Sequence, residues 1–136
     1  MAIGLPIISG CRWVCAFLNS LLLLNATPMS ENKNTVQKYM DGFIASDHEM
    51  ILSCLTDDVV WDMPGFFHLT GKDAFDKEIE NDNFEGRPAI KIIRMIEENN
   101  IVVVEGLVQS RIKAGGMLDA LFCDVFHMDN GKIKQL

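Results

Sequence analysis

Apolar positions recur along this chain in two periods, and the change from one to the other divides it. Val36, Tyr39, Met40, Phe43 and Ile44 fall three and four residues apart. That spacing predicts an amphipathic helix over 31–46, with Ser30 as its N-cap. Asp47 is placed to cap a second, short helix with Met50, Ile51, Cys54 and Leu55 inward. Thr56-Asp57-Asp58 reads as a turn, 59–63 as a short strand stopped by Pro64-Gly65, and 66–70 as a loop. A third helix is expected over 72–80, with Phe75 and Ile79 inward, and then a polar, turn-rich stretch over 81–88.

From residue 89 the period becomes two. Segments 89–97, 101–113, 117–128 and 132 onward read as strands, separated by Asn99-Asn100, Ala114-Gly115-Gly116 and Asp129-Asn130-Gly131. Connections this short and polar favour antiparallel hairpins. Helices gathered first and a meander of strands last give the α+β class. A long antiparallel sheet wrapped around the N-terminal helices would form a cone with an open mouth, and ligand sites favour such concave apolar surfaces.

Composition narrows the function classes. A chain of 136 residues is one domain, and 49% hydrophobic with 23% charged residues makes it globular. The net charge of -7, with no basic stripe, excludes nucleic acid as a natural partner. Cys54 and Cys123 lie beside apolar residues and read as two buried thiols. His48, His68 and His127 show no metal-ligand spacing, and there is no phosphate-binding glycine loop or nucleophile motif, so no cofactor or metal is implied.

Residues 1–28 are set apart from the fold. They hold one charged residue, Arg12, and a mostly apolar run from Trp13 to Leu24 that is short for a membrane span. Three readings stay open: a secretory signal, a lipid anchor at Ile8-Ser9-Gly10-Cys11, or a translation start at Met29; on each of them the domain spans 29–136, and a last strand cut short at Leu136 is expected. The protein is cytoplasmic on the last reading, and exported or membrane-anchored on the first two.

Asp124 is the most informative single residue. On a strand it shares a face with Leu118, Ala120, Phe122, Phe126 and Met128, all apolar. A carboxylate there is desolvated, which raises its pKa unless cations or donors compensate. It is either a chemical tool in an apolar cavity or a buried structural acid.

The order of these elements resembles the nuclear transport factor 2-like superfamily, in particular its SnoaL-like and ketosteroid isomerase branches. The resemblance rests on Gln37-Lys38-Tyr39, on Leu55-Thr56-Asp57-Asp58-Val59-Val60-Trp61, and on Pro64 followed by Gly71-Lys72-Asp73-Ala74-Phe75. It also rests on Phe122-Cys123-Asp124-Val125-Phe126 leading into Gly131-Lys132-Ile133. It implies a cone-shaped, cystatin-like α+β barrel and a homodimer. It also implies that Tyr39 and a protonated Asp124 act as oxyanion donors, an arrangement known from ketosteroid isomerase. The base position before the proline is Met63 here, and a thioether cannot abstract a proton. Asp62 would reach the inner face only through a bulge. Epoxide hydrolases of the superfamily flank an Arg with two aspartates, whereas Arg111-Ile112-Lys113 offers a Lys in place of one of them.

The remaining candidates surround the Tyr39–Asp124 pair. Phe43, Trp61, Met63 and Phe122 are expected to line a pocket for a small apolar molecule, with Phe66 and Phe67 near its mouth. His68, on the same expected loop, suits proton transfer near neutrality. The face that carries His127 would meet solvent or a second subunit. Three functions follow: an enzyme acting on an apolar carbonyl compound by isomerisation, aldol cyclisation or dehydration; a binding module without catalysis; and a dimeric interaction domain.

Overall fold

The computed structural model describes residues 28–136; the readings of the leader fall on 1–27 and lie outside them. Helix α1 (Glu31–Ala45) is capped by Ser30, whose hydroxyl accepts from the Lys33 amide at 3.1 Å. It ends where Ser46 takes a left-handed conformation, φ 53°. Asp47 caps α2 (His48–Ser53) by accepting from the Met50 amide at 2.9 Å. Strands β1 (Leu55–Met63) and β2 (Phe67–Thr70) follow, then α3 (Lys72–Ile79). The long strands β3 (Phe84–Glu98), β4 (Ile101–Ile112) and β5 (Met117–Asp129) and the short β6 (Lys132–Gln135) complete the domain.

The six strands make one curved, unclosed sheet in the order β2-β1-β6-β5-β4-β3, so the α+β class and the helix-wrapping sheet hold. All neighbours are antiparallel except β1 and β6. The Ile133 amide donates to the Cys54 carbonyl and Leu136 exchanges backbone bonds with Val60 and Asp62, which seats β6 against β1. Alternation along β5 is regular: even-numbered residues from Leu118 to Met128 are covered and odd-numbered ones are exposed. The core lies between the even face and the helices, with Val36, Ile51, Leu55, Val59, Phe75, Val102, Val104, Phe126 and Ile133 almost wholly buried.

Four local expectations are corrected. The Thr56-Asp57-Asp58 turn is part of β1, drawn into the sheet by the Leu55–Ile133 pairing. The loop over 66–70 is mostly strand β2, in register with β1 from Val60–Thr70 to Met63–Phe67. The polar stretch over 81–88 becomes strand at Phe84, and the ladder is then interrupted between Glu85 and Ala89, where Gly86 sits at φ 75° and Pro88 cannot donate. Cys123 is an exposed free thiol on the odd face of β5, whereas Cys54 is buried as expected.

Candidate functional site

Helix α1 and strand β5 bring Tyr39 and Asp124 to one face. Tyr39 is buried, and its ring meets Phe126 edge-on at 5.4 Å. Phe126 and Asp124 are two residues apart on the same strand face, so the tyrosine lies over the strand that carries the acid. The charge of Asp124 reaches the hydroxyl: burial first, and then Asp124, push the Tyr39 pKa well above 10. Tyr39 is therefore a neutral donor throughout the physiological range.

Asp124 is half-buried. Its neighbour on β4 is Val104, beyond which stands Met95 on β3; the flanking pairs are Phe126–Val102 and Phe122–Gly106. None of these carries a positive charge. Lys72, Arg94, Lys113 and Lys134 pair with Asp57, Glu105, Asp82 and Asp129, and no cation pairs with Asp124 among the described residues. Desolvation alone moves its pKa from the ordinary 3.8 to about 6.

The walls are aromatic. Trp61 stacks on Phe75 at 4.5 Å, meets Phe67 edge-on at 5.0 Å and faces Phe43 at 6.1 Å. Phe43 lies 5.0 Å from Tyr39, which closes a chain of rings from β2 to β5. Phe122 crosses β4 over Gly106, where an added Cβ would lie 2.5 Å from the ring and 2.8 Å from the Lys91 carbonyl oxygen. Gly106 escaped the sequence reading, although an isolated glycine inside a strand signals close approach. The stacking of Phe75 on Trp61 was legible only as an inward helix position.

Other candidates stand apart. Asp62 and His68 face each other across β1 and β2, 3.7 Å apart, and both are exposed. The β1–β2 register is unbroken here, so no bulge turns Asp62 toward Trp61, and neither side chain shares the Tyr39–Asp124 face. Met63 is on the Trp61 face but at the strand end, 39% exposed, and Phe66 is 82% exposed on the turn. Arg111 stands exposed on the odd face opposite Met117. A hollow of about 420 Å³ lies at Met29, Ser30, Lys33 and Glu97, and another of about 270 Å³ at Ile90, Lys91, Leu107 and Asp119. Neither is lined by Tyr39 or Asp124.

No group of His, Cys, Asp and Glu among the described residues could hold a metal ion, and no helix of theirs is long and apolar enough to cross a membrane. On the far side of α2, His48 sits between Asp76 at 2.6 Å and Glu80 at 3.6 Å, and the Asp76 hydrogen bond raises its pKa above 6.5.

Comparison with known proteins agrees with this architecture. The sequence profile of the SnoaL-like domain matches residues 36–136. A protein of unknown function from Burkholderia pseudomallei, described as nuclear transport factor 2-like, superposes with a TM-score of 0.74 at 23% identity, over 79% of this chain and 88% of that one. An epoxide hydrolase from Mycobacterium tuberculosis gives 0.68 at 20% identity, over 77% and 78%. A Shewanella putrefaciens protein assigned to the SnoaL-like polyketide cyclases gives 0.67 at 17%, over 79% and 88%. At such identities the likeness is one of fold. No curated protein matches the chain.

Proposed function

The chain belongs to the family of SnoaL-like domains, and from that membership and the Tyr39–Asp124 face we propose that it acts on an apolar carbonyl compound. The observation that carries this reading is a half-buried carboxyl beside a buried tyrosine, without a cation of its own among the described residues. A carbonyl oxygen set between them accepts from the Tyr39 hydroxyl and from protonated Asp124. Both donors oppose the charge that develops on oxygen as an enol or aldol forms. The reaction class is isomerisation, aldol cyclisation or dehydration. In its acid form Asp124 can pass its proton to that oxygen, while the α-proton leaves to solvent water. Phe43, Trp61, Met63, Phe67 and Phe122 would hold the apolar body of the substrate, with Phe66 at its margin. The exposed Met117, Leu121 and Val125 on the other side of β5 suit a second copy of the chain, so we also propose a homodimer.

One observation favours a second reading. Met63 stands where the resemblance expects a base, and Asp62 and His68 face away. A module that binds the same apolar molecule without turnover needs no base.

The infrared carbonyl stretch of bound 1-tetralone tests the donors directly. It should fall on binding at pH 5, stay low in Asp124→Asn and rise in Asp124→Ala and Tyr39→Phe. A stretch identical in all four proteins refutes the oxyanion pair. Loss of the α-proton of 1-tetralone to deuterated solvent separates the enzyme from the binding module.

A further inference from the structure

Among the described residues, Asp124 lies on the inner face amid many rings and pairs with no positive charge. The residues paired across the strands around Asp124 are Val104, Met95, Val102, Phe126, Gly106 and Phe122. The rings of Tyr39, Phe43, Trp61 and Phe126 run in unbroken contact beside them, at centroid distances of 5.0 to 6.1 Å. An anion in such surroundings is complemented by a cation that is itself apolar: the charge meets the carboxylate and its alkyl groups meet the ring faces. A hard metal ion is poorly served, because it needs several oxygens and the face offers one carboxyl and one phenol.

We propose that the Tyr39–Asp124 face binds an apolar organic cation, a substituted ammonium, with Asp124 as its counter-charge and the surrounding rings as its walls. This shares the location of the carbonyl reading but uses the opposite protonation state of Asp124. A neutral carbonyl is held by the acid form and an ammonium by the carboxylate. The carboxyl titrates near 6, so pH selects between the two ligand classes.

The test uses the full chain and two probes of one shape: (4-hydroxyphenyl)trimethylammonium and 4-tert-butylphenol, which differ by a charged nitrogen in place of a carbon. Calorimetric titration at pH 5 and pH 7 should show the ammonium tightening roughly tenfold. The ionised fraction of a group titrating at about 6 rises over that interval from roughly a tenth to nine tenths, and affinity follows it. The neutral probe should not tighten, and Asp124→Asn should flatten the ammonium profile while leaving the neutral probe bound. Equal affinities for both probes at both pH values would overturn the cation inference and leave the apolar-ligand reading intact. An unaltered ammonium profile in Asp124→Asn would overturn it by placing the cation elsewhere, and binding of neither probe would overturn both readings.

Discussion

Replacing Asp124 by Asn should stabilise this protein at neutral pH, even though it alters the candidate site. The carboxyl has an ordinary value of 3.8 and is pushed to about 6 by desolvation alone. A raised carboxyl pKa means that the folded state binds the proton more tightly than the unfolded chain does. The stability this contributes is complete below pH 3.8 and is lost as pH rises through 6. At about 1.4 kcal/mol for each power of ten in a proton equilibrium, the loss is about 3 kcal/mol by pH 8, with roughly half of it incurred by pH 5. The amide has nearly the same shape and never ionises, so it avoids this penalty. Urea unfolding of wild type and Asp124→Asn should therefore diverge with pH, the difference growing in favour of Asn by about 3 kcal/mol between pH 3.5 and pH 8. Other titrating groups, such as Glu97, whose bond from Ser30 lowers its pKa, are common to both proteins and cancel. A difference independent of pH would refute the reasoning, because it would mean that the carboxylate is solvated or compensated. A growing advantage for Asp would mean that it is held ionised by donors.

Phe75→Ala should cost about 3–5 kcal/mol in urea unfolding, since the ring is buried and stacked on Trp61; a cost under 1 kcal/mol would remove it from the core. Gly106→Ala should destabilise by about 1–3 kcal/mol, because its methyl would meet both the Phe122 ring and the Lys91 carbonyl. Adding Phe122→Leu should restore only part of that loss, as the backbone clash remains; full rescue would show that the ring alone is limiting. Asp76→Asn should lower the His48 pKa followed by proton NMR, and the stability that His48 adds should be present below 6.5 and fade as pH rises through its raised value. Leu121→Lys should convert a dimer to a monomer in sedimentation equilibrium, and an unchanged mass would exclude the exposed face of β5 as its interface.

Period and capping carried much of the fold. Ser30 and Asp47 act as the caps their positions suggested, and the alternation of β5 was legible residue by residue. What the sequence concealed was pairing that depends on distant partners. Leu55 and Thr56 look like the end of a helix and a turn, and become strand only because Ile133 hydrogen-bonds to Cys54. Phe67 and His68 follow Pro-Gly and read as loop, yet β1 recruits them. The same recruitment decides the site: with the register unbroken, Asp62 and His68 are turned together to the outside. Tyr39 and Asp124 were separately legible as inward positions on a helix and a strand. Their meeting through Phe126 depends on how α1 crosses the sheet, which no local pattern encodes.

The parallel seam between β1 and β6 also governs how the domain comes into being on the ribosome. Lys132 bonds to the Ser53 carbonyl across 79 residues of sequence, and the neighbouring Ile133 pairs with Leu55. While the β3–β5 meander is still being synthesised, β1 has only the short β2 to pair with, and the row from Leu55 through Val59 to Trp61 waits for its cover. Loop closure on this scale is slow. The emerging chain thus carries a sticky half-made sheet until β6 has been made, and this interval is where a chaperone would matter most to its yield in the cell.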